Sequence, residues 1–247
     1  MTDQETSNGH CLVTTDDLEK LPAPVQRYLN FTGVVGKPWI DSVYLKQRGQ
    51  FRQGLNRPWM GMTAEEYYTI NPPSLTWKAR FKVRGLPLLS AKDRYESGQG
   101  HMFGKLAGIF TVFDVQDEKL TQATMVRYLN EIMWFPTAFL GKNITWQEAE
   151  KNSVQVTFHD HGKSVSGRMI FNDEGRLINF TAKRYRETDG DYSFDPWSTP
   201  ITGYDERAGL NLPIRGTAVW NLPSGDLPYA ELEITDVQYN LSVMPLD

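Results

Sequence analysis

Arg127 and Glu131 stand four residues apart, and Trp134 follows three later, in the run Arg127-Tyr128-Leu129-Asn130-Glu131 to Trp134-Phe135-Pro136-Thr137. On a helix this spacing puts a guanidinium and a carboxylate on one side, off the apolar stripe, with an indole close by. Two roles fit. Either the pair is a solvent-facing ion pair worth roughly 0–1 kcal/mol, or the helix turns it into a cavity, where a few polar groups orient an otherwise apolar ligand. Asp93, Tyr95 and Asp114 are further candidates for such a cavity, although spacing alone does not assign them. The chemistry open to Arg127, Glu131 and Asp93 with nearby tyrosines is acid–base work on a small substrate, because a buried carboxylate can be tuned toward neutral pKa.

Other constellations are thinner. His159-Asp160-His161 places two imidazoles on one strand face, but Asp-His-Gly between two alternating runs reads first as a hairpin turn, and no third ligand is evident, so no metal is expected. No nucleophile elbow, phosphate-binding loop, dinucleotide fingerprint or His-Glu-x-x-His occurs, and no cofactor is expected. A single cysteine, Cys11, excludes an intrachain disulfide framework and any multi-cysteine zinc site. The seven tryptophans, Trp59 and Trp134 among them, are core filling for the most part, with some expected to line a pocket.

Periodicity supplies the elements that must position these residues. A helix is expected from about Pro22 to Phe31, ended by Gly33, with a short helical turn before it capped by Asp16 and Glu19. From Ile40 the period changes to two. The clearest strand is Thr76 to Arg84, with Trp77, Ala79, Phe81 and Val83 on one face and Lys78, Arg80, Lys82 and Arg84 on the other. That basic row is expected to face solvent and to pair with Glu65 or Glu66 of a neighbouring strand. A second helix runs from Glu118 to about Met133, with Met125, Val126, Leu129, Ile132 and Met133 as its stripe. Gly98, Gly100 and Gly104 punctuate a strand that must kink. Beyond Pro136 the chain reads as a meander: Val154 to Phe158, Val165 to Phe171, Leu177 to Arg186, Ile214 to Trp220 and Ala230 to Leu241. Seven to eleven strands with two or three helices give an α+β, mainly antiparallel β class. The expected form is one strongly curved half-open barrel over residues 15–247 with helices packed on its concave side, preceded by a disordered tail at residues 1–14.

The 247-residue chain carries 26 basic and 30 acidic side chains, a net charge of −4, which argues against nucleic acid as a partner. Thirty aromatics in a chain with 40% hydrophobic residues favour strands and a large apolar cavity. No stretch reaches the ~18 apolar residues of a membrane span and the front is polar, so the expected location is cytoplasmic. An apolar or amphipathic small molecule, with lipids among the candidates, is the expected partner, the alternatives being an enzyme that uses the cavity's carboxylate, arginine and tyrosine groups or a packed structural domain without ligand; the basic row adds weak contact with an anionic membrane surface.

Several stretches together resemble one bacterial family of unknown function. They are Leu21 to Leu29, Arg57 to Met60 with Thr63 and Ala64, Asp93 with Tyr95, Arg127 to Leu129 with Glu131 and Trp134 to Ala138, Pro196 to Pro200, and Val219-Trp220 with Leu222-Pro223 and Pro228-Tyr229. The resemblance spans about residues 20 to 240 and implies a fold similar to the LolA-type lipoprotein-carrier half-barrels, with an apolar ligand cavity and helices as a lid. It transfers no catalytic residues. Arg127, Tyr128, Glu131, Trp134, Trp59, Tyr95 and Asp93 all fall within the resembling stretches and are the residues expected at the ligand. Many relatives carry N-terminal membrane segments where this chain has a short polar front.

Overall fold

A computed structural model describes residues 11–83, 85–188 and 190–241. Arg84, at the end of the expected basic row, and residues 1–10 of the expected tail lie outside the described residues. Residues 11–14, expected as the rest of that tail, make contacts with the chain that follows. Leu12 bridges Pro38, the Val13 amide donates to the Lys37 carbonyl at 2.9 Å, and Val13 is buried. A buried valine with paired backbone groups explains why this stretch is held.

Helix α1, Thr15–Leu18, is one turn. Its capping box is Thr14 with Asp17, two residues before the expected Asp16 and Glu19, because the threonine hydroxyl and amide both reach the Asp17 carboxylate at 2.7 Å. Helix α2, Ala23–Thr32, follows with proline at its first turn and Gly33 in the left-handed conformation at its C-cap. Val25, Tyr28 and Leu29 form its buried face.

All the strands join one antiparallel sheet. They are β1 Ser42–Phe51, β2 Met60–Ile70, β3 Pro73–Val83, β4 Leu86–Glu96, β5 Gln99–Leu106, β6 Phe110–Val115, β7 Ile144–Glu150, β8 Ser153–Asp160, β9 Lys163–Phe171, β10 Leu177–Thr188, β11 Asp191–Ser198, β12 Ile201–Arg207, β13 Leu210–Leu222 and β14 Gly225–Tyr239. The order is β6-β5-β4-β3-β2-β1-β14-β13-β11-β10-β9-β8-β7, with β12 added onto β13. That is more strands than the seven to eleven expected. Several of the extra ones are short or break the strict alternation that period-two reading requires. The two edges, β6 and β7, are the strands that flank helix α3, Glu118–Glu131. The chain therefore leaves one edge of a curled sheet, crosses its concave face as a helix and rejoins the other edge. This is the expected α+β half-open barrel with helices on the inside.

Asp117 starts α3 by accepting the Leu120 amide at 2.7 Å, and a tight turn at Ile132–Trp134 ends it before Pro136. Because the sheet wraps it, α3 is buried on nearly every side, Thr121, Thr124, Asn130 and Glu131 included. Gly100 lets it sit close to β5: a Cβ there would lie 3.0 Å from the Thr121 Cα, and the Gly100 amide donates to the Thr121 hydroxyl at 3.1 Å. The glycine spacing expected to kink a strand thus serves close approach of helix to sheet.

On β3 the expected alternation holds, with Ala79 and Phe81 buried and Arg80 and Lys82 exposed. Register sets Lys78 opposite Glu65. Glu66 is not its partner, because Glu66 is opposite Trp77 and faces inward. Period two allows only one of two adjacent glutamates to meet the basic row.

Candidate functional site: a cavity walled by a buried arginine and three carboxyls

Between α3 and the concave face lies a cavity of about 810 Å³. Trp77, Phe81, Phe113, Trp134, Trp197 and Trp220 supply much of its aromatic wall, and the loop from Arg52 to Arg57 reaches its mouth. On the β2–β5 side, register aligns the small residues Ala64, Ala79, Ala91 and Gly104 across four strands, and Ala91 lines the cavity. The Phe113 ring lies over Gly104, where a Cβ would collide with it.

Arg127 reaches from α3 to this wall and is the centre of a polar cluster. Its Nη1 donates to the Asp93 Oδ2 at 3.0 Å, its Nε to both oxygens of Glu131 at 3.0 and 3.1 Å, and its Nη2 to the Glu66 Oε1. The guanidinium lies 4.7 Å from the Trp77 ring centre, a stacking that also fixes its plane. The carboxyls are further held: Tyr68 Oη donates to Glu131, Gln47 Nε2 to Glu66, and Trp77 Nε1 to the Gln47 Oε1 at 3.1 Å. Glu66 and Asp93 have no exposed side-chain surface, and Arg127 keeps 13%. The surface ion pair that the spacing of Arg127 and Glu131 allows is thus excluded, since the sheet covers the polar side of α3 as well as its apolar stripe.

Three carboxyls around one guanidinium leave an excess of negative charge in a place poor in water. Burial pushes the Glu66 carboxyl well above the ordinary carboxylate range; Arg127 pulls it back, while Glu131 and Asp93 push it further up. Burial likewise raises Glu131, against the pull of Arg127 and the Tyr68 hydrogen bond. Burial alone would lower the Arg127 guanidinium, but Glu131, Glu66 and Asp93 together raise it well above its ordinary value. Burial thus disfavours the charged forms of Glu66 and Glu131, while the three carboxyls favour the charged form of Arg127.

Of the residues assigned in the sequence, Arg127, Glu131, Trp134 and Asp93 come together at the cavity. Trp134 is anchored by its Nε1 donating to the Pro213 carbonyl at 2.9 Å. Trp59 stands just outside, 4.5 Å beneath the Arg52 guanidinium that lines the mouth. Tyr128 and Tyr95 belong elsewhere. Tyr128 is on the other side of α3, stacked on Phe158 at 4.9 Å, with its hydroxyl donating to the Thr69 carbonyl. Tyr95 is packed against the same phenylalanine and donates to Asp160. Adjacent helix positions 127 and 128 point about 100° apart; Arg127 lines the cavity, whereas Tyr128 is turned toward Phe158 and Thr69. Asp114 takes a bond from His101 at 2.7 Å on the exposed edge of the sheet. His159 and His161 do not converge. His159 bonds Thr145 and Ser164, whereas His161 occupies the turn with a left-handed backbone and reaches Asp160. Among the described residues no group of three His, Cys, Asp or Glu is placed to hold a metal.

Sequence reasoning missed Glu66, Gln47 and Tyr68, and it missed Arg184. The last has a signal: Arg184 and Arg186 share a strand face with Phe180, which is buried. Charged residues on the apolar side of a strand mark a lined cavity or a buried pair.

Residues 12–232 match a family described as a family of unknown function, DUF6544. No curated protein is similar enough in sequence to count as a relative. Solved structures are similar at low identity, three of them as follows. A LolA superfamily protein from Nitrosomonas europaea has a TM-score of 0.47 and 9% identity over 88% of this chain and 92% of its own. A domain from Vibrio parahaemolyticus provisionally named an outer membrane lipoprotein-sorting protein has 0.46 and 7% over 83% and 87%. A DUF1329 family protein from Desulfovibrio piger has 0.44 and 8% over 90% and 94%.

Proposed function

The chain belongs to the DUF6544 family of unknown function, and from that premise we propose that it binds an apolar or amphipathic small molecule between α3 and the concave face of its sheet. The observation that carries this reading is the cavity of about 810 Å³ with tryptophans on several walls and a fixed polar cluster at one side. Its size lies within the roughly 300–1,000 Å³ of small-molecule sites. Preformed depth matters here, because a ligand entering it buries its own apolar surface without first reorganising the protein.

The test combines native mass spectrometry after mild purification with displacement of a fluorescent fatty acid. Leu89 and Ala91 both line the cavity from β4. Leu89→Trp and, as a milder filler, Ala91→Phe are expected to abolish or weaken probe binding by tenfold or more while leaving the unfolding transition cooperative. Unaltered probe binding in both folded variants would refute the cavity as the site.

A second reading rests on one observation: Glu131, with its raised pKa, and Asp93 border the cavity. If the bound molecule is also a substrate, Glu131 is the acid–base group, and Glu131→Gln stops its conversion without loss of binding. Contact with an anionic membrane belongs to the same proposal. It is supported by the exposed Arg80 and Lys82 of β3, beside Lys92 and Arg94 of β4 on the convex side. Vesicle co-sedimentation that ignores both anionic lipid and salt removes that part.

A further inference from the structure

Arginine is concentrated in the cavity out of proportion to the chain. Arg52, Arg57, Arg127, Arg184, Arg186 and Arg215 line it, against the acids Asp93, Glu131 and Glu187. The whole chain, by contrast, carries a net charge of −4. Three of these guanidiniums are spent on carboxylates: Arg127 as described, Arg186 on Asp195 at 2.8 Å, and Arg215 on Glu233 at 3.6 Å. Arg52, Arg57 and Arg184 have no carboxylate partner among the described residues. Asp195, directly across from Arg184 on β11, is occupied by Arg186 and by the Ser193 hydroxyl.

Arg184 is also held in place. Its Nε donates to the Ala123 carbonyl of α3 at 2.9 Å and its Nη1 to the Tyr229 hydroxyl at 3.2 Å. Its Cζ lies 5.0 Å from the Trp197 ring centre and 5.9 Å from that of Trp220. Trp197 Nε1 in turn donates to the Tyr229 hydroxyl at 3.0 Å, and Trp220 stacks on Tyr229 at 5.8 Å. A guanidinium has five N–H donors; two are used on neutral acceptors and none on an anion. It is thus a half-buried, oriented cation with donors to spare, on the opposite flank of α3 from the acid cluster. Arg52 is similarly steadied by the Pro228 carbonyl at 2.7 Å and by Trp59.

Resting on the cavity reading above, we propose the class of its ligand: a single-chain amphiphile with an anionic head, a carboxylate or a phosphate monoester. Arg184 is the principal head-group residue, with Arg52 and Arg57 at the mouth. The apolar chain lies against the aromatic wall. The acids around Arg127 repel the head from the β2–β4 side, so the ligand has one orientation. A planar guanidinium with free donors suits a carboxylate or phosphate because it can give two parallel hydrogen bonds.

The experiment displaces the neutral probe Nile red with dodecanoate, dodecyl phosphate, dodecanol and dodecyltrimethylammonium, each below its micelle concentration. The two anions are expected to compete at least tenfold better than the alcohol and the cation, and the better of the two anions identifies the head. Arg184→Gln is expected to weaken the anions roughly tenfold to a hundredfold, the range of a hydrogen bond to a charged group, and to leave dodecanol unchanged. Arg57→Gln, in an exposed loop, is the second variant and is expected to weaken the anions alone by severalfold. Equal competition by dodecanoate and dodecanol, stronger competition by the cation, or equal weakening of anion and alcohol in the folded variants would each overturn the head-group assignment while leaving the cavity reading intact. If none of the four displaces Nile red, the cavity reading itself fails.

Discussion

Replacing Arg127 by methionine keeps an unbranched stem of similar reach and removes the guanidinium donors to Glu66, Asp93 and Glu131, leaving only the neutral donors Gln47, Thr124 and Tyr68 on these carboxyls. Counted as separate charged hydrogen bonds at about 1.5–3 kcal/mol each, three losses would sum to roughly 5–9 kcal/mol. The acids do not have to remain ionised, however, and protonation caps the cost. The measured cost of orphaning one member of a buried ion pair, about 3–5 kcal/mol, is therefore the better figure at neutral and alkaline pH. For a chain of this size that is roughly 6–20 °C in Tm. The loss must shrink on acidification. Without the cation, the buried carboxyls take up protons in the folded state at pH values where the unfolded chain has released them, and each proton so held recovers up to about 1.4 kcal/mol per pH unit. Urea unfolding followed by tryptophan fluorescence at pH 8 and pH 5.5 measures both quantities. The companion variant carries Glu66→Gln and Glu131→Gln along with Arg127→Met and is expected to regain a substantial part of the loss at pH 8. A loss below about 1 kcal/mol at pH 8, or the same loss at both pH values, would refute the claim that this is a buried charge cluster.

In the wild-type chain the raised Glu66 and Glu131 bind protons more tightly folded than unfolded. Their stabilising contribution is complete below the ordinary value of 4.5 and is lost as pH rises through their folded values; Glu66→Gln is expected to flatten that part of a stability–pH curve measured by urea titration. Tyr95→Phe removes a hydroxyl bond to Asp160 in the core and is expected to cost about 1.5–3 kcal/mol of stability with no change in probe binding, measured on the same sample. Gly49→Ala is expected to cost at least about 1–3 kcal/mol by chemical denaturation, since its Cβ would run into the Glu231 backbone carbonyl of β14 and the two strands would have to part.

Sequence reading works best where one physical pattern acts alone. On β3, apolar and basic residues alternate cleanly, and the structure places them on opposite faces as the pattern requires. Helix α3 is equally legible from its stripe and from Asp117 and Glu118 at its start. The patterns fail where a second surface covers the first. The polar side of α3 reads as solvent-facing because a helix packed on one side would leave it so; here the curled sheet closes over it and Arg127 becomes a buried hub. Likewise Asp93 and Tyr95 share a strand face, yet one meets Arg127 and the other Asp160, because the interior changes along the strand from cavity wall to packed core. Glu66 could be separated from Glu65 only once the β2–β3 register was known. Edge strands such as β6, with Phe110 and Val112 exposed, give no clean alternation and are not seen in the sequence.

The most direct test of the ligand cavity is quenching of intrinsic fluorescence by 12-bromododecanoate, since Trp77, Trp134, Trp197 and Trp220 all line it. A bromine carried on the chain of a bound amphiphile must come close to these rings. The account predicts saturable quenching at one ligand per chain that dodecanoate reverses. Linear quenching no stronger than that of free bromide, with no effect of dodecanoate, would contradict it.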